Sequence, residues 1–530
     1  MNLIEDAWIP VARRSGEQLH IAPWQLTDRV AHDPLVMVAA PRPDFNGALL
    51  EFLIGLFQTE TAPDGDREWL EWRDRPPSPE ELRNELNSAR DFFNLDGNGP
   101  RFMQSFDQFD GRDSEIAAIL IDTPRDNTID RNHDLFIRRG RVRGLCAGCT
   151  AAALYTAQAY SPSGGRNHRT SLRGGGPLST VVTPDPASDA PLQSLWHACW
   201  LNVLPRPAFW SLSGNPRLTS PERTYPWLAP TRTSENGEQT TPDDMAPPHV
   251  FWGMPRRIRL DTDELRAGHC DVCGRDGAII VRFSLRHGGM NYQGPWRHPL
   301  TPYTIGDDGM PAPCHVQRGG IGYRHWASLT LGHVLQRNRR EPAAAVASNM
   351  RDTSRVQERA SLLAYGYDVE NAKVQGWYEY RMPVYHVAHD ILPILKERAG
   401  GMILAADLVA RNLVSAFKAA WPIDGLPEFA RSAFWGATET CFFDHLDHLI
   451  PALGDDTGEE AVLSSWHQAL CRASEGVFER WAMAPEFGQA NPGRTAGALL
   501  KLRKSNWDRK IRDALLLRDT GRRARNGGAP

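Results

Sequence analysis

The 530-residue sequence lacks the short motifs that mark several large enzyme classes. It has no Walker A loop, no HExxH and no GxSxG, the signatures of P-loop NTPases, zinc metalloproteases and serine hydrolases. No pair of carboxylates lies in a setting that would separate their acidities, as general acid and base catalysis requires. We therefore predict that the protein is not an enzyme.

Segments that direct a chain into or across a membrane are also missing. No stretch approaches about 18 uninterrupted apolar residues, which predicts no membrane span and no membrane partner. Glu5 and Asp6 lie where a signal peptide needs positive charge followed by an apolar run. Cysteine is scarce, with eight in the whole chain, so the protein is not a disulfide scaffold. We expect a cytoplasmic protein in a reducing compartment.

Apolar sequence, in contrast, is plentiful. With 41% hydrophobic residues the chain can bury a large core, and its length suggests roughly two to four domains. The formal net charge of -4 argues against a protein that coats DNA indiscriminately. Any contact with nucleic acid must therefore come from local basic patches.

Four of the eight cysteines form two CxxC pairs, Cys146 with Cys149 and Cys270 with Cys273. Two thiolates separated by two residues can face one ion, and two such turns complete a tetrahedral site. The second pair is followed by Gly274, as in a zinc-ribbon knuckle. We predict a structural Zn²⁺ site. Reduced buried thiols, or two disulfides in an oxidising compartment, are the alternatives.

A basic arm surrounds the first pair. Residues 131–175 contain eight arginines against a single acid, Asp134. Arginine forks suit phosphates, and glycines let backbone N–H groups approach a ligand closely; the glycines are Gly164, Gly165, Gly174, Gly175 and Gly176. The apolar stretch 135–137 could act as a wedge. The pattern favours a polyanion as partner, and a solvated surface loop is the alternative.

Apolar periodicity predicts two helices in the N-terminal part. Residues 46–58 have a core-helix pattern, with a cap expected near Asp44 or Asn46. The alanine-rich stretch 150–159 predicts a second helix, which places the first CxxC turn at a helix N-terminus.

Beyond about residue 385 strand signals vanish and amphipathic helices dominate. One apolar stripe consists of Met402, Val409, Leu413 and Phe417. We predict an α+β fold, with a large mixed domain over residues 1–384 that carries the zinc knuckle and an all-α four-helix bundle over residues 385–530.

Histidines offer weaker signals. Four isolated histidines could serve as general bases: His298, His315, His386 and His389. Histidines without a chemical partner in the sequence are usually structural. The DHLDH segment, residues 444–448, could bind a metal, although a solvated helix face is the favoured interpretation.

Several segments carry a family resemblance by their order and spacing. They are NLIEDAWIPV at the start, PRFMQ near residue 100, LCAGCTAAAL, SLRGGGPLST, the FW of HVFWGMP, HCDVCG, PWRHPLTP and the helical C-terminal part. Together they resemble, almost end to end, the CasA family, the large subunit of the type I-E CRISPR surveillance complex Cascade. The resemblance implies an α/β N-terminal domain with a zinc knuckle, followed by a four-helix bundle.

The resemblance also implies a function in an antiviral ribonucleoprotein complex. In the family this subunit recognises the protospacer-adjacent motif in duplex DNA through the minor groove, helps open the duplex for guide RNA pairing, and recruits the helicase-nuclease. The expected partners are double-stranded target DNA, the guide RNA ribonucleoprotein subunits of Cascade, and the helicase-nuclease. The subunit itself is not the nuclease.

Particular residues take family roles. In the basic arm, Asn132 and Phe136 resemble residues that reach towards the complex and the motif. Arg138 and Arg139 of the same arm are predicted to bind DNA.

Three further segments correspond to family elements. A glycine-rich loop after the first CxxC helix corresponds to Ser163, Gly164, Gly165 and Arg166. Arg286 or His287 stands where the family carries a lysine finger, and arginine would preserve the cationic contact. Asn349, in ASNMRD, stands where a short polar hairpin of the family presents a wedge that splits the first base pair.

Two other functional classes stay open from the residues alone. A zinc-dependent nucleic-acid hydrolase would need a metal with an open coordination position. An assembly scaffold would use the basic arm only to hold guide RNA or neighbouring subunits.

Overall fold

The computed structural model describes the chain except residues 108, 110, 125, 131–139, 165–167, 186–192, 336–337, 352–359, 422–424, 483–490 and 518–530. The chain divides into two compact units. The first comprises Met1–Ile321 and Val334–Tyr385, and the second comprises Gly322–His333 and His386–Pro530.

The described strands are short, apart from one long hairpin. They are β1 (Ile9–Arg13), β2 (Gln18–Ile21), β3 (Leu35–Val38), β4 (Arg112–Glu115), β5 (Leu145–Cys146), β6 (Ser179–Pro184), β7 (Arg257–Leu260), β8 (Arg266–His269), β9 (Asp276–Ile280), β10 (Arg282–Arg286), β11 (Tyr303–Ile305), β12 (Pro311–Pro313), β13 (His333–Leu335), β14 (Asn338–Glu341), β15 (Ala360–Glu370) and β16 (Lys373–Val384). Among the described residues they form small sheets of order β2-β1-β3, β4-β10-β7, β12-β11-β14-β13, β16-β15-β6 and β5-β9-β8.

Helices of very different length complete both units. They are α1 (Pro43–Glu60), α2 (Asp66–Asp74), α3 (Pro79–Leu86), α4 (Asp126–Asp130), α5 (Ala147–Tyr160), α6 (Leu195–Trp200), α7 (Arg206–Trp210), α8 (Pro221–Thr224), α9 (Trp326–Thr330), α10 (Ala344–Arg351), α11 (Leu392–Ala420), α12 (Leu426–Ala452), α13 (Asp456–Ala482), α14 (Pro492–Ser505) and α15 (Arg509–Ala514).

Helix α1 is the core helix of the first unit, as its periodicity predicts. Its apolar residues are buried, and the Phe52 ring makes edge-on contacts with five other aromatic side chains: Trp8, Phe93, Phe102, Tyr155 and Trp252. Such contacts stabilise beyond the area they bury. The predicted cap is wrong, because the helix begins at Pro43 and the Asn46 side chain accepts a hydrogen bond from the backbone of Ala40 instead.

Helix α5 lies inside the same unit and joins two features of the candidate site. Nearly all of its residues are buried, so it packs on every side. Its 14 residues span about 21 Å at 1.5 Å per residue. The sheet β5-β9-β8 adjoins its N-terminus, and Ser161 and Pro162 follow its C-terminus.

The second unit is built mainly of helices in its described residues. The predicted stripe of α11, from Met402 to Phe417, is fully buried, and the Trp466 indole of α13 donates to the carbonyl oxygen of Met402 at 3.1 Å. Among the described helices, α11 alone is long and apolar enough to cross a membrane, and 44% of its most apolar 18-residue window is buried inside the protein.

A short segment that precedes the long hairpin also belongs to the second unit. The Tyr323 ring stacks on Phe442 of α12 at 4.6 Å, and its hydroxyl pairs with that of Thr438 at 2.8 Å. Nothing in the sequence pattern predicts that residues 322–333 belong to the second unit. The α+β fold class with a helical C-terminal part is otherwise confirmed.

Candidate functional site

The four cysteines of the CxxC pairs meet at one point. Their sulfur atoms all lie within 4.8 Å of one another, and the Sγ atoms of Cys146 and Cys273 are 3.6 Å apart. Four sulfurs placed about 2.3 Å from a zinc ion would form a tetrahedron with edges of about 3.8 Å. The cluster is therefore shaped to hold a metal ion, and residues more than 120 positions apart are brought together as the spacing predicts.

Local structure explains how each pair is presented. Strand β5 ends at Cys146, which is the N-cap of α5, so its Sγ accepts from the backbone N–H of Cys149 at 3.5 Å. The second pair lies in the turn between β8 and β9, where Gly274 has φ +78°. Only glycine adopts that conformation readily. The Asp271 carboxylate accepts from the backbone of Arg143 and Gly144 and so ties the two pairs together.

The electrostatics of the cluster favour a thiolate at Cys270, whereas hydrogen bonds with Cys146 and Cys270 raise the pKa of the Cys149 thiol. Hydrogen bonds from the Cys146 and Cys149 thiols lower the pKa of Cys270, whose side chain is fully buried. Although burial opposes it, hydrogen bonds to the sulfurs of Cys146 and Cys273 raise the pKa of the Arg275 guanidinium. Thiolates are the form that binds metals.

Four protein ligands fill a tetrahedral shell and leave no position for a reacting water. The geometry therefore does not support a zinc hydrolase built on these cysteines. Within the described ranges no second group of metal-ligating side chains occurs. His445 and His448 of the DHLDH segment place Nδ1 against carbonyl oxygens of their own helix, which agrees with a structural interpretation.

A second part of the site lies beyond the C-terminus of α5. Residues 163–167, here called the glycine loop, are bracketed by Pro162 and His168. The Arg256 guanidinium donates to the Pro162 carbonyl oxygen and to Nδ1 of His168. Gly164, the loop glycine that the structure describes, is half-buried.

One of the two predicted cations, His287, lies against His168, the residue that follows this loop in the sequence, and Arg286 is its neighbour in the chain. The ring of His287 is 4.1 Å from that of His168, centroid to centroid, and both Arg286 and His287 are exposed. The structure thus brings together residues that are about 120 positions apart. Sequence reasoning missed Arg256 and His168, because neither stands in a motif.

Arg286 is not a free cation. Its guanidinium lies 2.9 Å from the Glu235 carboxylate, which also binds Arg257 at 2.8 Å. The Glu235 carboxylate therefore forms ion pairs with both arginines.

Part of the predicted basic arm lies inside the protein. Arg173 forms a buried ion pair with Glu51 at 2.5 Å, with side chains 2% and 1% exposed. A Cβ at Gly175 would lie 2.7 Å from Pro162 Cα, and one at Gly176 would lie 2.8 Å from the Tyr367 carbonyl oxygen. These glycines permit close packing rather than ligand approach, so the expectation that Arg173 and the glycines at 174–176 face a polyanion is wrong.

The wedge expectation for Asn349 is also wrong in its structural basis. Asn349 lies in α10, not in a hairpin, and its side chain is 0% exposed. Its amide donates to the carbonyl oxygens of Leu201 at 2.7 Å and Ala345 at 2.8 Å. A side chain held in this way supports the core and does not reach a ligand.

A family model described as CRISPR-associated protein Cse1 matches residues 2–476, which is most of the chain. The chain belongs to the Cse1 family. The resemblance noted in the sequence is confirmed, since solved structures carry the names CasA and Cse1 for one protein.

Solved Cse1 structures share the fold across nearly the whole chain. Cse1 from Thermobifida fusca is 17% identical with a TM-score of 0.68, covering 97% of this chain and 98% of that chain. CasA from Thermus thermophilus is 17% identical with a TM-score of 0.66, covering 97% and 99%. A chain of a structure titled "CRISPR RNA-guided surveillance complex" is 17% identical with a TM-score of 0.66, covering 96% and 99%.

Several predicted Cse1 site residues lie outside the described part of the chain. They are Asn132, Phe136, Arg138, Arg139, Gly165 and Arg166. Their roles stay predictions.

Proposed function

We propose that this chain is the large subunit of a type I-E Cascade complex and that it recognises the protospacer-adjacent motif in duplex DNA through the minor groove. It assembles with the guide RNA ribonucleoprotein subunits in the cytoplasm, helps open the duplex, and recruits the helicase-nuclease. It cuts no DNA itself. Family membership supports each of these steps.

The observation that carries DNA recognition is the contact of His287, the neighbour of Arg286, with His168, which directly follows the glycine loop in the sequence. A glycine without a side chain can approach a narrow groove, and exposed cations beside it favour the phosphate-lined walls. Minor-groove contacts distinguish base pairs poorly, so we expect several related motifs to be tolerated. The proposed contacts are Gly164, Gly165, Arg166, Arg286 and His287, together with Asn132, Phe136, Arg138 and Arg139 of the arm. Asn349 is not among them.

We further propose that the metal is Zn²⁺ in a structural role. Four thiolates are the donor set of closed zinc sites. When bound, the ion would fix the N-terminus of α5 relative to β8 and β9, and it would take no part in DNA contact.

The test compares Cascade assembled with and without this chain. Binding is titrated against duplexes with the motif and with the motif scrambled, at one salt concentration. We expect preference for the motif only when the chain is present. Equal affinity for both duplexes in both complexes would contradict motif recognition and favour an assembly scaffold. Cleavage of DNA by the purified chain would contradict the non-enzymatic assignment.

A further inference from the structure

The cysteine cluster carries excess negative charge once it holds a divalent metal ion. Four thiolates outweigh the charge of one Zn²⁺, and charge taken out of water is costly without a partner. Cys149 and Cys270 are buried, whereas Cys146 and Cys273 are half-buried. Chelators and electrophiles therefore reach the cluster through the sulfurs of Cys146 and Cys273.

One arginine lies against these two more exposed sulfurs. Arg275 follows Cys273 by two positions, and its guanidinium donates hydrogen bonds to the sulfurs of Cys146 and Cys273. The two sulfurs are 3.6 Å apart, so a planar guanidinium can bond each of them with a different arm of its fork. A single side chain thus contacts one ligand from each CxxC pair.

The backbone fixes where this guanidinium can reach. The Arg275 carbonyl oxygen accepts from the backbone N–H of Cys270 at 2.8 Å, within the turn that carries the second pair. At the far end of the side chain, Nη2 lies 3.8 Å from the position that a Cβ on Gly148 would take, an ordinary contact distance. Gly148 lies in the first turn of α5, between Cys146 and Cys149. Arg275 is therefore anchored at one pair and packs against the other.

The acidic side chains nearby are engaged elsewhere. Asp271 accepts from the backbone N–H groups of residues 143 and 144, and Asp276 pairs with His269 at 3.0 Å. The Arg275 guanidinium is thus left to offset the charge of a loaded cluster.

We propose that Arg275 is a positioning residue that retains the metal: its fork covers the two half-buried sulfurs, offsets part of the charge of the loaded cluster, and slows both metal release and attack by electrophiles. Replacing a residue that hydrogen-bonds to a metal ligand typically changes metal affinity by about 10–100-fold. The inference rests on the metal site proposed above.

The first experiment measures zinc release from the purified full-length chain. The variants are Arg275→Met and Arg275→Lys, and the matched control is Arg266→Met, which removes an exposed arginine from β8 of the same sheet. Elemental mass spectrometry counts the bound zinc, and transfer to the chromogenic chelator pyridylazoresorcinol gives the release rate. We expect Arg275→Met to release zinc about tenfold faster, and Arg275→Lys to lie in between because it keeps the charge without the fork. A wild-type rate in Arg275→Met, or an equal acceleration in Arg266→Met, overturns the inference.

The second experiment maps where the cluster is attacked. Zinc-loaded wild type and Arg275→Met react with N-ethylmaleimide, and peptide mass spectrometry gives the modification rate at each cysteine. We expect Arg275→Met to accelerate modification of Cys146 and Cys273 by about tenfold. Cys441, half-buried outside the cluster, should react at the same rate in both proteins, and the buried Cys199 reports unfolding of the first unit. Unchanged rates at Cys146 and Cys273, or an equal acceleration at Cys199, overturn the local role of Arg275.

Cobalt separates this inference from the proposed metal site. When Co²⁺ takes the place of zinc, four thiolate ligands in a tetrahedron give intense visible and near-ultraviolet absorption bands. If wild type shows neither these bands nor bound zinc, the metal site fails and the inference fails with it. If wild type binds the metal and Arg275→Met retains it as well as wild type does, the metal site stands and the role of Arg275 fails.

Discussion

At the scale of single residues, the same residue type serves quite different purposes in different parts of this chain. Arg173 neutralises Glu51 in the core, Arg256 holds a loop, and Arg286 is exposed beside Glu235. The sequence shows all three as members of basic or arginine-rich stretches, and burial alone separates them. An arginine count therefore overestimates the surface available to a polyanion.

The buried amide of Asn349 gives a direct test of its structural role. We expect Asn349→Ala to lower the free energy of unfolding of the first unit by about 1–3 kcal/mol, because two buried carbonyl oxygens lose their donor. Denaturant unfolding measures the change. The exposed Asn98→Ala is the control and should have little effect. If Asn349→Ala left stability unchanged but impaired duplex opening, the wedge hypothesis would be restored.

For the basic arm, we predict the effect of charge reversal at Arg138 and Arg139. The double substitution to glutamate should weaken binding of Cascade to target DNA, and the slope of log affinity against log salt should flatten by about one for each lost phosphate contact. Titrations at several salt concentrations measure the slope. A normal slope would indicate that the arm faces RNA or protein.

His197 connects residue chemistry to the pH dependence of stability. Burial lowers its pKa from 6.5 to about 4, and the ring contacts Ser194 and the carbonyl oxygen of Arg73. Because the unfolded chain binds the proton more tightly, stability is present above about pH 6.5 and falls by up to about 3 kcal/mol as pH drops towards 4. Unfolding across this range should show a weaker pH dependence in His197→Gln than in the exposed control His32→Gln. Equal dependence would contradict the assignment.

At the scale of elements, α5 is the helix that runs from the cysteine cluster to the residue that holds Arg256. Cys146 caps its N-terminus, and Gln158, in its last turn, holds Arg256. Stripping the metal, or changing Cys270 to Ser, should lower the melting temperature of the first unit and reduce motif preference together. Cys199→Ser, a buried cysteine outside the cluster, is the control for melting. Loss of the metal with full motif preference would show that the two ends of α5 act independently.

The sequence predicted these elements unevenly, for physical reasons. Periodic apolar patterns located α1 and the α11 stripe, and the spacing of cysteines located the metal cluster, since both are local signals. It could not locate Arg256 or His168, because the contacts among Pro162, Arg256 and His168 join distant segments without any repeated spacing. The family resemblance assigned Asn349 wrongly, because a match between sequences shows which residues correspond but not which of them are buried.

At the scale of the whole molecule, two compact units need not unfold as one cooperative system. We predict that Tyr323→Ala lowers the free energy of unfolding of the second unit by about 3–5 kcal/mol, because the ring is buried and its hydroxyl pairs with that of Thr438. Phe93→Ala should instead lower the free energy of unfolding of the first unit. Calorimetry measures the unfolding transitions of the two units separately. A shift of both transitions by Tyr323→Ala would show that they are thermodynamically coupled.

The carboxylate of Glu235 adds a condition to any encounter with DNA. Arg286 already has an anionic neighbour, so a phosphate that binds it competes with the Glu235 carboxylate for the guanidinium. When a phosphate takes the place of the Glu235 carboxylate, one anion replaces another. Such binding releases fewer condensed cations from DNA than binding to an arginine without an acidic partner would. Because Glu235 competes with phosphate for Arg286, a duplex that offers only its backbone charge binds less readily than one whose groove also fits the protein.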